Sequence, residues 1–278
     1  GRARPLRRML AWATVAVALA AAGLFVAVWL YQTRGVYDFD RTVTTPAEVG
    51  LPAARVVSFA SEDGAEVSAW LVAPAPGRPV LISFFGGFAC VGPSAKRMQP
   101  LLERGFGLAM LVYRGSSGDP HEPTERAFAM DARVLYDRLD ALLGEVVPPE
   151  RRVLHGVSLG SSVAAGLAGE RPALALVLEA SFDRCCRWHS KRMLHLPMCL
   201  LMWRERHDVI DKLGTAPMPK LILHGERDRA VPIAWARALY DALDGAKRWI
   251  AYPEGDHMDL LERGAAADIA AFVAESAR

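Results

Sequence analysis

The chain has 278 residues, of which 52% are hydrophobic and 23% charged, with a formal net charge of +2. That composition supplies a packed core for one large domain or two small ones and excludes a disordered chain. So small a charge gives no reason to expect a nucleic-acid partner.

Arg2, Arg4, Arg7 and Arg8 crowd the N-terminus. Residues 9–31 then read MLAWATVAVALAAAGLFVAVWLY, without a charge or a proline. As a helix this run is about 34 Å long at about 1.5 Å per residue, enough to cross a hydrocarbon core of about 30 Å. Trp12, Trp29 and Tyr31 lie near its ends, where aromatic rings favour the interface. Four arginines precede the run and Arg34 alone follows closely, so the positive-inside rule predicts a cytoplasmic N-terminus and an exported remainder. A cleaved signal peptide and a buried core helix are the alternatives. The former has a shorter apolar stretch and the latter a polar face, so the pattern favours a single-pass anchor. The expected division is a basic N-terminus (1–8), a transmembrane anchor (9–31), a linker (32–52) and one domain over 53–278.

After the linker, residues 55–59 and 67–72 read as a hairpin across Glu62-Asp63-Gly64. The run VLISFF (80–85) is a buried strand ending at Gly86-Gly87. A helix is expected over 94–104 and another buried strand over 108–113. A long helix, capped by Thr124, is expected over 124–143. A strand at 152–155 leads through a tight turn to a helix at 161–169. Further strands are expected at 174–178, 220–223 and 248–252, and helices at 232–243 and 259–276. Such alternation predicts an α/β fold with a mostly parallel sheet and helices on both faces. Residues 181–219 form an apolar insertion, read either as ordinary packing on the sheet or as a short lid, an acyl-binding wall or a surface facing the bilayer.

Cys90, Cys185, Cys186 and Cys199 show no C-x-x-C pair and no zinc-like spacing with histidine, so they read as four free or buried thiols. His155 and His224 each end a strand before a glycine and read as packing or hydrogen-bonding residues. His121, His189, His195 and His207 fall in loops or the insertion and read as solvated.

The stretch Gly156-Val157-Ser158-Leu159-Gly160 fits the G-x-S-x-G pattern in the context that gives it meaning, strand then turn then helix. The turn holds a serine in a strained backbone conformation, and glycines on either side avoid a clash. A serine hydroxyl is a poor nucleophile at neutral pH and needs a base, which in turn needs an orienting acid. In this chain order the acid comes before the histidine. Asp228 lies just past the strand at 220–223, in HGERDRAVP, and His257 just past the strand at 248–252, in GDHMDL. Glu226 and Asp256 are the rival acids.

Taken together, SEDGAEVSAWLVAP, FFGGFA, VYRGSSG, GVSLG, HGERDRAVP and GDHMDL resemble the α/β-hydrolase superfamily of serine hydrolases over nearly the whole of the chain after residue 46. The likeness is greatest to a membrane-anchored group with a small or absent lid, which includes esterase-like and depalmitoylating enzymes. The resemblance implies an α/β-hydrolase fold, Ser158 as nucleophile, Asp228 as acid and His257 as base. It also implies an oxyanion hole from the backbone N–H groups of Leu159 and Gly87, with Phe88 as the fallback for the second. No cofactor or metal is implied. The substrate would be a small acyl ester, thioester or lipid-like molecule. Two departures stand out: Phe85 occupies the place of the family's usual histidine, and the Tyr113-Arg114-Gly115 stretch lacks the aspartate that often precedes it. A serine peptidase and an inactive, membrane-tethered binding module remain as alternative functions.

Overall fold

The computed structural model describes residues 3–213 and 216–278. Arg2 of the basic N-terminus, the side chain of Arg4, and residues 214–215 of the apolar insertion lie outside the described residues.

Apolar runs too short for helices become the strands of one sheet. In chain order, helix α1 (Ala3–Arg34) leads through an irregular segment to the hairpin β1 (Arg55–Ala60) and β2 (Glu66–Val72). Then follow β3 (Val80–Phe84), α2 (Val91–Arg97), α3 (Gln99–Leu102), β4 (Gly107–Leu111), α4 (Glu125–Asp137) and α5 (Leu139–Leu143). Next come β5 (Arg152–Val157), α6 (Gly160–Glu170) and β6 (Ala175–Glu179). The insertion carries α7 (Cys186–Arg192), α8 (Met198–Leu201) and α9 (Val209–Leu213). The chain closes with β7 (Lys220–Gly225), α10 (Ile233–Ala242), β8 (Lys247–Tyr252) and α11 (Ala266–Ser276).

The eight strands lie in the order β1-β2-β4-β3-β5-β6-β7-β8. Only β1–β2 and β2–β4 pair antiparallel; the other neighbours are parallel. Strands β3 to β7 are buried along their whole length because helices cover both faces. Helices α4, α6 and α9 pack together over β5, while α2, α3 and α11 pack on the opposite side.

Two expected helices are broken. Residues 94–104 divide into α2 and α3 around Met98, where Pro100 lacks the N–H that would continue the ladder, and α2 starts three residues early, with Pro93 in its first turn. The helix expected over 124–143 breaks at Arg138, which leaves the helical region at φ −99° and ψ 5°. Its start is as expected, Thr124 Oγ1 accepting from Ala127 N at 3.0 Å. The last helix is shorter than expected, since the chain turns irregularly at Gly264 before α11.

The cysteine reading needs a correction. Cys186 and Cys199 form a disulfide, while Cys90 and Cys185 are free and buried. So does that of two histidines: His189 and His207 are buried rather than solvated. Burial pushes His207 down to about 3, so the neutral ring receives the Ser162 hydroxyl proton on Nδ1 at 2.7 Å and donates from Nε2 to Tyr37 Oη at 2.6 Å. Tyr37 in turn donates to the buried Glu205. Residues 32–52 are therefore more than a spacer. Tyr37 is bonded to Glu205 and His207 of the insertion, and Phe39 and Leu51 enter the main core.

Arg114, in the stretch that lacks the aspartate, is buried. It forks onto Asp63 at 2.7 and 2.9 Å and onto the buried Asp131 at 2.7 and 3.0 Å, clamping the hairpin to α4. Bonds from Arg114 hold the Asp63 carboxyl at about 2, below its usual 3.8. A carboxyl depressed in this way contributes its stability above the usual value and loses it as pH falls through the lower one. The unfolding free energy of the wild type is therefore expected to drop between about pH 4 and pH 2, and that of Asp63→Asn to lack this component. Asp131→Ala, which strips a buried partner from Arg114, should cost about 3 kcal/mol at neutral pH by denaturant titration.

Candidate active site

Strand β5 ends at Val157, and the chain reverses at once into α6. Ser158 forms the tip, at φ +51°, in the left-handed region that a residue with a side chain rarely occupies. Its N–H bonds to Glu179 O at 2.9 Å and its carbonyl accepts from Ser161 N at 2.9 Å, so the turn is held from both ends. The flanking glycines are steric necessities. A Cβ at Gly156 would lie 2.5 Å from Gly160 O, and one at Gly160 would lie 2.0 Å from Phe84 O.

Asp228 and His257 follow the carboxyl ends of β7 and β8, at the same edge of the sheet. Their loops are tied together by Glu226 N to Tyr252 O and Arg227 N to Gly255 O, both at 2.9 Å. Asp228 Oδ1 accepts from the N–H groups of Ala230 and Val231 at 2.9 and 2.8 Å, which fixes the carboxylate plane. Oδ2 then receives His257 Nδ1 at 2.7 Å. That bond uses Nδ1 and leaves His257 Nε2 without a hydrogen-bond partner among the described residues. His224 approaches the same oxygen at 3.4 Å, but its shorter bond, 2.9 Å, goes to Val231 O. Burial pushes the His224 imidazole below its usual range. The rival acids are placed elsewhere: Glu226 is exposed, and Asp256 caps the backbone N–H of His257 at 2.8 Å.

Ser158 and His257 line one cavity of about 340 Å³, together with Leu159, Gly87 and Phe88. Among the described residues the serine hydroxyl has no hydrogen bond to the imidazole, a contact that in ligand-free sites is often long and tightens only around substrate. The N–H groups of Leu159 and Gly87 likewise have no protein acceptor among the described residues. Phe85 points away from the cavity. It is buried against Tyr113 at 4.4 Å between ring centroids, and Tyr113 Oη donates to the Phe85 carbonyl at 3.0 Å. The Phe85 side chain thus packs the core while its backbone carries the turn toward Gly87.

Sequence reasoning missed a buried polar chain beneath the site. His155 Nε2 donates to Glu179 Oε1 at 2.7 Å, and its Nδ1 accepts from Ser83 Oγ at 2.9 Å. Burial pushes the Glu179 carboxyl up, but His155 and Arg97 outweigh it and leave the group below its usual range. Arg97 reaches from Glu179 Oε2 at 3.4 Å to Met258 O at 2.9 Å, beside His257. Only the strand-ending position of His155 signalled any of this. The insertion supplies part of the cavity wall, with Phe182, Cys185, Trp188 and His189. No cluster of three or more metal-ligating side chains occurs among the described residues.

No family model matches the chain. An uncharacterized protein of Mycobacterium tuberculosis, Rv2307c, is 31% identical over 260 residues, 91% of this chain and 90% of the relative. Protein ABHD12B of Homo sapiens is 30% identical over 212 residues, 66% of this chain and 57% of the relative. The Pyrococcus furiosus esterase Pf2001 has the same fold, with a TM-score of 0.66 at 14% identity over 87% of this chain and 100% of that one.

Two glycines of α6 should behave in opposite ways. Gly160→Ala forces a Cβ into backbone carbonyls and is expected to cost about 3 kcal/mol. Gly166→Ala meets only Lys212 Cδ at 3.7 Å and should be neutral or stabilising by up to about 1 kcal/mol. Denaturant midpoints of the two variants check this.

Proposed function

The chain belongs to the α/β-hydrolase superfamily, and from that premise we propose that it is a membrane-tethered serine hydrolase acting on carboxylic esters or thioesters. The observation that carries the reading is the left-handed Ser158 at the mouth of a cavity it shares with the Asp228-bound His257. In the proposed reaction Ser158 Oγ attacks the acyl carbonyl carbon as His257 Nε2 takes its proton. The tetrahedral oxyanion accepts from Leu159 N–H and Gly87 N–H, donors that gain most as its charge develops. The C–O or C–S bond then breaks and His257 returns the proton to the leaving group. Water, deprotonated by the same nitrogen, attacks the acyl carbon, and the Ser158 Oγ–acyl bond breaks to release the carboxylic acid as His257 returns the proton to Oγ. Asp228 holds the imidazole in the tautomer that leaves Nε2 free and steadies its charge.

Apolar side chains dominate the cavity wall, and among the described residues no Lys, Arg, Asp or Glu contributes to it. This favours an apolar acyl group over a peptide whose charged termini need partners. We place the anchor at residues 9–31 and the catalytic domain at 53–278, on the outer side of the membrane. The arginines before the apolar run at residue 9 support that orientation, as does the Cys186–Cys199 disulfide, a bond that persists in oxidising compartments.

A fluorophosphonate probe is expected to label the wild type and leave Ser158→Ala unlabelled; equal labelling of both would sink the assignment. Asp228→Asn should keep the fold and lose about ten-thousand-fold in kcat on a chromogenic short-chain ester. For the orientation, a phosphatase reporter that matures only after export, fused behind Arg278, is expected to be active in cells. An inactive fusion of normal abundance would place the domain in the cytoplasm.

A further inference from the structure

The apolar insertion and α1 meet in a way that fixes a depth. Trp203 stacks on Phe25, ring centroids 4.9 Å apart and planes 3° from parallel. Phe25 lies six residues before Tyr31, where the apolar run ends, which is about 9 Å along the helix axis. Gln32 is buried, and its Oε1 accepts from the N–H groups of Trp203 and Arg204 at 3.0 and 2.8 Å. Tyr31 Oη pairs with His189 Nδ1 at 2.6 Å. The insertion is thus bonded to α1 at the end of its apolar run and reaches back along it.

Around this junction the insertion exposes large apolar side chains. Leu194 is 93% exposed and Leu200 86%, with Leu196 and Trp203 also open. In an aqueous setting such a cluster has nothing to cover it. The charges of the insertion fall into two sets. Arg184, Arg187 and Arg206 are each paired with a carboxylate. Lys191, Arg192 and Arg204, which flank the apolar side chains, have no carboxylate within salt-bridge distance among the described residues.

We infer that the 181–219 insertion is a second membrane-contacting surface, its exposed leucines and Trp203 entering the acyl region of the leaflet beside α1 and its unpaired basic residues lying at the phosphate level. A depth of about 9 Å matches that of surface-lying apolar faces, which sink roughly 5–10 Å. The cavity mouth comes with it. Val36, two residues beyond α1, lines the cavity, as do the half-exposed Phe88 and Met258. Arg192 lies 5.8 Å from the Phe88 ring centroid and 5.3 Å from that of Trp188, beside the same opening. The opening therefore faces the leaflet, and its substrates are bilayer-resident acyl esters that enter without crossing water. This consequence for substrate rests on the hydrolase reading above; the seating itself does not.

The test uses the full chain in vesicles of phosphatidylcholine with phosphatidylglycerol. Leu194→Cys, and separately Leu196→Cys, are labelled with an environment-sensitive fluorophore under non-reducing conditions. Val146→Cys, an exposed site just before β5 at the opposite edge of the sheet, is the reference. Labels at 194 and 196 are expected to be quenched by acyl-chain nitroxide lipid and shielded from aqueous iodide, with the reverse at 146. Iodide access at 194 and 196 equal to that at 146 overturns the seating, whether or not Ser158 reacts with a fluorophosphonate. In a protein that does react, Leu194→Asp combined with Leu200→Asp should lower turnover of a long-chain ester held in the vesicle about tenfold and leave a soluble short-chain ester unchanged. Equal loss on both esters overturns the link between seating and substrate.

Discussion

The close approach of three backbone segments at the end of β5 is the constraint on which the site depends. Gly156, Gly160 and the Phe84–Phe85 carbonyls lie too near one another for any side chain to intervene. That contact lets the chain reverse within two residues and holds Ser158 in a left-handed conformation no isolated serine would keep. The strain is offset by two backbone bonds at the turn and by the buried helix that follows. Ser158 and Leu159 both line the cavity there, and the N–H of Leu159 has no protein acceptor among the described residues. The parallel sheet then brings the loops after β7 and β8 to the same edge.

Beneath that edge the polar groups form a closed account. Ser83, His155, Glu179 and Arg97 run from the sheet interior to the carbonyl of Met258, next to His257. Each member satisfies its neighbour, which is what allows a carboxylate to sit fully buried at the centre of a hydrophobic sheet. Asp228 is treated in the same way from the other side, with both oxygens occupied. The loops that carry Asp228 and His257 are thus held by hydrogen bonds from both sides.

What the sequence made legible follows from which constraints are local. The Ser158 turn is legible because the two glycines it requires lie within five residues, although Gly160 answers to the distant Phe84 carbonyl. The sheet was legible because buried parallel strands need continuous apolar runs. Contacts set by distant partners were not. Arg114 meets carboxylates 51 and 17 positions away, and no pattern around it announces either. Cys186 adjoins Cys185, so nothing in the order of residues says which of them bonds to Cys199. His189 and His207 sit among polar neighbours in sequence yet are enclosed by residues of α1 and the segment after it. The breaks at Met98 and Arg138 were hidden by apolar spacing that continues across them.

The segment after α1 has one more consequence. Tyr37 is bonded into the insertion and Phe39 is stacked among Tyr37, Phe85, Tyr113 and Phe128. Leu51 closes the same stretch inside the core. A chain plugged in at three points has no slack, so the domain cannot swing on its anchor like a ball on a string. With α1 across a bilayer, the free motions left to it are spinning about the membrane normal and drifting in the plane. Its encounters then become a search in two dimensions, governed by the lateral density of molecules in the leaflet rather than by their concentration in the surrounding water.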